Sequence, residues 1–162
     1  PAQLKVVYST VPTYLTSTFD GTVGEATLSV NVPRTSDGSG SWGSHSNSGY
    51  GSAAIQALSH SSSGGYVTIL TGNADNTNPT ERLRIDQSGH VLPGANNSYD
   101  LGSTGARWRN VFTNDLNLSN KGSTNSVDNT WGDYTIQEGE NDLFLINNRS
   151  GKKYMFILKE VS

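Results

Sequence analysis

The chain has 162 residues, of which 33% are hydrophobic and 15% charged, with a net charge of −3 at neutral pH. Ordinary domains carry about 45–50% apolar residues, glycine included, and roughly 25% charged ones, so the oily interior available to one copy is thin. No basic block is present and no Cys, which excludes a nucleic-acid partner, disulfides and thiolate metal sites.

Ser, Thr, Asn and Gly replace the best helix formers, and the recurring signal is period-two alternation, so the expected fold class is all-β with short strands. The first region, residues 1–33, is read as amino-terminal strands and an attachment region. Leu4, Val6 and Tyr8 begin one strand. In a second, Ala26, Leu28, Val30 and Val32 take one face and Thr27, Ser29 and Asn31 the other, and the two suggest a first antiparallel pair.

Residues 34–52 form a Gly/Ser-rich loop with Trp42, His45 and Tyr50 set into it. Sugar rings stack on exposed aromatics while Asn, Ser and Asp bind hydroxyls, so these three residues are the ligand-binding candidates. The competing reading is that the rings pin the loop to the sheet.

Residues 53–94 are read as a β-rich subdomain. Within it, 52–58 fits a strand or one helical turn, 66–70 fits a strand bounded by glycines, and 73–80 is a loop. Leu83 and Ile85 alternate with Arg82, Arg84 and Asp86 before a Ser88-Gly89 turn into Val91, the pattern of a hairpin. The Arg82/Arg84 and Arg107/Arg109 pairs are read as solvated or interchain-paired charge.

Residues 95–120 are a shaft-like segment. Tyr99, Leu101, Trp108, Val111, Leu116 and Leu118 are spaced too sparsely for one chain to close a core around them, so they are assigned to packing between chains. A polar gap over 121–129 opens the last region, 121–162. There, 134–137, 143–146 and 154–158 alternate with the turns EGEND and NNRSGKK as a three-strand meander, and Trp131, Tyr134 and Tyr154 are expected to form its core.

Catalytic chemistry finds little support. Glu138, Glu140 and Asp142 sit in a tight turn where water solvates them, without the desolvation a general acid needs. His45, His60 and His90 are isolated, with no metal-ligand spacing, and no nucleophile elbow appears. Asp75 to Asn78 offer oxygen ligands but lack the spacing of a calcium loop. The chain is therefore read as non-enzymatic, without cofactor or metal. The longest apolar runs, such as 143–146 and 155–158, are too short to span a bilayer, so no membrane insertion is expected.

Residues 97–119, NSYDLGSTGARWRNVFTNDLNLS, resemble a motif of tail fibres and tailspikes of tailed bacteriophages, in which Tyr-x-Leu-Gly-Ser leads to Arg-Trp-x-x-Val. Here these elements are Tyr99 to Ser103 and Arg107 to Val111. The stretch ERLRIDQSGHV, 81–91, is similar to a repeat that often precedes such shafts. Residues 131–161 look like the terminal module of structural proteins from phages of marine or cyanobacterial type. The resemblance covers about half the chain. It implies an intertwined homotrimeric fibre ending in a small β-meander knob, with itself, other virion proteins of tail or capsid, and host-surface glycan as partners. It also implies a virion location after assembly in bacterial cytoplasm, which the lack of Cys fits. Two rivals remain: a capsid decoration or head-fibre protein, and a fragment of a glycan-cleaving tailspike. Some relatives carry a self-cleaving chaperone domain after the Arg-Trp element, where this chain has the meander.

Overall fold

A computed structural model describes residues 3–6, 13–19, 23–30, 50–60, 64–73 and 78–160. Among these, every regular element is a β-strand, and the strands make two antiparallel sheets, as the all-β expectation requires. The chain divides into two compact units, Pro1–Leu101 and Gly102–Ser162.

The first unit is a seven-stranded meander: β1 (Gln3–Val6), β2 (Thr13–Phe19), β3 (Val23–Val30), β4 (Ala53–His60), β5 (Gly64–Thr71), β6 (Thr80–Ile85) and β7 (Val91–Pro93), each paired with the next. The expected direct pairing of the first two alternating stretches is corrected here. β1 and β3 both pair with β2, whose sequence TYLTSTF inserts between them. Thr, Tyr and Phe suit a pleated surface, and this strand stays hidden to a hydrophobicity count because four of its seven residues are Thr or Ser. The open choice at 52–58 resolves as strand, since β4 pairs along its whole length with β3 and β5. The β6–β7 hairpin lies where expected, with Gly89 at φ +83° closing its turn. A bulge between Ile69 and Leu70 shifts the β5–β6 register by one residue.

The second unit has four strands in the order β11-β10-β9-β8: β8 (Leu116–Ser119), β9 (Asp133–Glu138), β10 (Leu143–Asn147) and β11 (Lys153–Met155). The expected three-strand meander is present. It gains β8, the end of the segment read as shaft, so the boundary between units falls at Leu101/Gly102 and not near residue 120. Residues 102–115 carry no strand. Gly102 adopts φ +91°, and a Cβ there would stand 3.0 Å from the Ala106 carbonyl and 3.5 Å from the Trp108 ring, so the Leu-Gly-Ser…Arg-Trp spelling has a local steric reason.

Among the described residues neither sheet encloses a conventional core. In the first unit the buried apolar residues are Tyr14, Ala54 and Leu70, alongside Glu25, Thr27, Ser29, Ser52, Gln56 and Thr68. In the second, the anticipated core of Trp131, Tyr134 and Tyr154 is corrected: Trp131 and Tyr134 are half-buried and Tyr154 is 48% exposed, while the enclosed residue is Thr135. A single four-stranded layer can bury little by itself.

Gly94 offers a test of the hairpin. Its N–H donates to the Arg82 carbonyl, and an added Cβ would lie 2.1 Å from the Glu81 carbonyl oxygen. Gly94→Ala is therefore expected to cost about 1–3 kcal/mol in chemical denaturation, the scale of overpacking against backbone. A change within error would show that β7 moves aside freely.

Candidate functional site

Pleating sends alternate side chains to opposite faces of a sheet, so the register fixes which residues stand together. One residue from each of the seven strands forms an unbroken row: Leu4, Leu15, Leu28, Ile55, Ile69, Leu83 and Pro93 are successive register partners. The neighbouring row is Ser17, Ala26, Ala57, Val67, Ile85 and Val91. The described aliphatic side chains of these rows from β2 to β5, with Ile85 and Val91, are open. Leu15 and Ile55 are 52% exposed, Leu28 48% and Ile69 40%. A hollow of about 300 Å³ lies against β3, β4 and β5, lined by Leu28, Ala53, Ala54, Ile55, Ile69, Leu70 and Thr71.

The other face holds the polar residues, and it is the buried one. Thr27, Gln56, Thr68 and Arg84 are register partners across β3 to β6, and the first three are at most 5% exposed. The Gln56 amide donates from Nε2 to Glu25 Oε1 at 3.0 Å and to Thr27 Oγ1 at 3.3 Å, while its Oε1 accepts from the Thr68 hydroxyl at 3.4 Å. The Thr27 hydroxyl also donates to Glu25 Oε1. These bonds answer the cost of burying a carboxylate and an amide. At the edge of this face Arg84 forks onto Glu81 at 2.7 and 2.9 Å and lies over the Tyr66 ring at 4.5 Å.

The assigned interchain residues fall into three places. Tyr99 accepts from Arg82 Nη1 at 2.7 Å, so that Arg82, expected to be solvated or paired between chains, is engaged within this one. Leu101, Trp108 and Val111 lie in the strandless stretch, 63–77% exposed. Leu116 and Leu118 belong to β8, where Leu116, Ile136, Leu145 and Tyr154 make a second complete row across four strands. Of the ligand-binding candidates, Tyr50 is half-exposed, and Trp42 and His45 lie outside the described residues, as does the Asp75–Thr77 part of the weighed calcium loop.

Polar loops in the second unit are built from Asn and Asp. The Asp128 carboxylate accepts from Asn125 Nδ2 at 2.7 Å and from the Thr130 hydroxyl at 2.8 Å, which hold it below the usual aspartate range. Asn120, Asn125, Leu118, Ser119, Gly132 and Tyr134 line an open hollow of about 450 Å³. Nearby in sequence, the Arg149 guanidinium lies 3.9 Å over the Trp131 ring and donates to its carbonyl. Glu138, Glu140 and Asp142 are exposed in their turn. Among the described residues no group of three His, Asp or Glu is arranged to hold a metal, and no helix is long and apolar enough to cross a membrane.

The feature a sequence reading misses is the polarity of the first sheet. Alternation of Ala26, Leu28 with Thr27, Ser29 is legible, but only the fold reveals that Thr and Ser face inward. Comparison with protein-family models, curated proteins and solved structures finds no match to this chain.

Two outcomes follow from this geometry. Gln56→Leu removes the donor shared by Glu25 and Thr27 and is expected to cost about 2–3 kcal/mol, whereas Thr68→Val loses one long hydrogen bond and costs about 1 kcal/mol or less. Equal losses in guanidinium unfolding would contradict the network. At the β6–β7 turn, partial desolvation pushes the Asp86 carboxyl upward, but the His90 and Ser88 N–H groups and the His90 ring together bring it below 3.8. Its contribution to stability is thus complete above the ordinary aspartate value and is lost as pH falls through the lower folded one. A carboxyl NMR titration is expected to place Asp86 below 3.8, and His90→Ala to move it upward.

Proposed function

We propose that this chain is a non-enzymatic structural protein of a tailed-phage virion, a homotrimeric fibre or spike that presents loops to a host-cell surface. The observation that carries the reading is the open aliphatic face of β1–β7, which one copy leaves in water. Monomeric proteins rarely expose contiguous apolar patches beyond a few hundred Å². Association is the ordinary remedy, and closed cyclic symmetry its ordinary form.

The words phage, fibre and trimer come from the resemblance of residues 97–119. In this reading Leu101, Trp108 and Val111 meet their copies around an axis that Gly and Ser leave open, and β8–β11 forms the small terminal knob. Trp42, His45 and Tyr50 carry glycan contact. A weak site repeated three times per fibre, on many fibres per particle, yields firm attachment through avidity. The solvated carboxylates of the 138–142 turn favour a binder over a glycan-cleaving enzyme.

Sedimentation equilibrium is expected to give about 52 kDa, three times the 17.3 kDa of one chain. Antibody labelling of intact particles should place the protein on tails. Labelling confined to capsids would favour the head-fibre alternative, and new reducing ends on incubation with host polysaccharide would revive the tailspike enzyme. A monomeric mass at tens of micromolar would overturn the trimer.

A further inference from the structure

The geometry points to one specific surface for self-association: the face of β1–β7 that carries Leu15, Leu28, Ile55, Ile69, Val67 and Ile85 packs against the same face of other copies of this chain. The inference deepens the trimer reading and rests on it only for the number of copies. It places the main interface on the first sheet, whereas the resemblance directs attention to residues 97–119.

Three observations select this occupant. The first is charge: the two aliphatic rows contain no Lys, Arg, Asp or Glu, Arg82 beside the β5–β6 bulge is tied to Thr71 and Tyr99 at their margin, and Glu25, Glu81 and Arg84 stand on the opposite side. A soluble sheet that ends in water normally alternates apolar-in with polar-out. Here the alternation is intact but reversed, so the neutral face is suited to another neutral, apolar face. A copy of the same face is complementary to it without any further partner.

The second is area. Seven strands about 4.8 Å apart, with two side-chain rows about 6.7 Å apart, make a patch on the order of 450 Å². Two such faces together withdraw about 900 Å² from water, above typical lattice contacts of less than about 800 Å² and in the range of weaker specific interfaces below roughly 1,200 Å². In a closed ring of three, each face meets two others, and sheet faces pack at about 10 Å with interdigitated side chains. The hollow beside Ile55 and Ile69 receives such side chains.

The third is the state of the edges. The outer strands are short, four residues in β1 and three in β7, and β7 ends in Pro93, which has no N–H to donate. Short strands and edge proline suppress strand-to-strand addition. Association therefore falls to the face.

The test uses the full chain. Ile55 and Ile69 are register partners, so the double variant Ile55→Glu, Ile69→Lys sets opposite charges side by side, a pairing a solvated sheet tolerates. The expected result is a 17.3 kDa species at concentrations where the native chain stays assembled, with the β-sheet circular dichroism retained. As a second measurement that leaves the face apolar, Ile55→Cys introduces one thiol into a chain that has none. Ile55 lies on β4, the central strand, where faces that meet bring their copies together. A short bis-maleimide is expected to join copies through it, and not through Ser88→Cys at the hairpin tip.

A double variant that keeps the native mass, or an intact assembly that Ile55→Cys fails to cross-link, overturns the assignment. If Trp108→Ala instead dissociates the assembly while the double variant does not, the trimeric fibre stands and its interface belongs to residues 97–119. A native chain that is monomeric at tens of micromolar overturns both readings. Binding of such a monomer to phosphatidylcholine vesicles would assign the face to lipid, against this inference.

Discussion

Everything in the first unit follows from where its sheet places hydrogen bonds and where it places methyl groups. Gln56 is the hinge of that arrangement, since one amide serves the Glu25 carboxylate, the Thr27 hydroxyl and the Thr68 hydroxyl across three adjacent strands. With those residues enclosed, alternation forces Leu28, Ile55 and Ile69 to the opposite side. Full burial of such side chains stabilises by about 1.5–3 kcal/mol each, and half-exposure forgoes on the order of 1 kcal/mol per residue. Summed over two rows, the shortfall is comparable with the whole stability of an ordinary domain, about 5–15 kcal/mol. In the proposed assembly, single-chain folding and association thus cease to be separate problems.

A polar interior has a second consequence. An aliphatic sheet face tolerates slippage by two residues, because Leu, Ile and Val exchange places at modest cost. A hydrogen-bonded set does not: moving β4 by two residues against β3 would strand the Glu25 carboxylate without its amide donor. The buried network therefore pins the register of β3, β4 and β5, and the pinned register is what aligns one aliphatic residue from every strand into a continuous row. Specificity lies on one face and cohesion on the other.

Much of this architecture is legible in the sequence, and the exceptions have physical causes. The β9–β11 meander reads clearly because Asn147, Gly139 and Gly151 supply turn chemistry between alternating runs, and the β6–β7 hairpin because Asp86 and Gly89 do the same. β2 escapes because Thr and Ser dilute its hydrophobic signal, although their β propensity is high. The end of the apparent shaft escapes because Leu116 and Leu118 alternate within only four residues, and it takes their register with Ile136 and Tyr134 to identify a strand. Which side of the first sheet is buried is beyond any periodicity argument, because a period of two specifies that faces differ and not which one meets water. The aromatic expectations fare similarly: a ring at Tyr154 marks a strand well and a core poorly, since β11 is a three-residue edge.

The edges decide whether association can end. Strand-to-strand addition joins unlike edges head to tail, and unless the rotation closes, such heterologous contacts continue into open filaments. Both sheets resist that route: β1, β7, β8 and β11 have only three or four residues each, β7 ends in Pro93, and β11 begins with Lys153. A face, unlike an edge, is consumed when its copies meet around an axis, because each copy turns its aliphatic rows inward and leaves its other surfaces outside. In the proposed assembly, a seven-strand layer with two uncharged aliphatic rows and blunted edges closes into a finite group of chains and does not extend into a filament. Its remaining exposed loops, including the Asn- and Asp-rich turns of the second unit, stay available for contacts of other kinds.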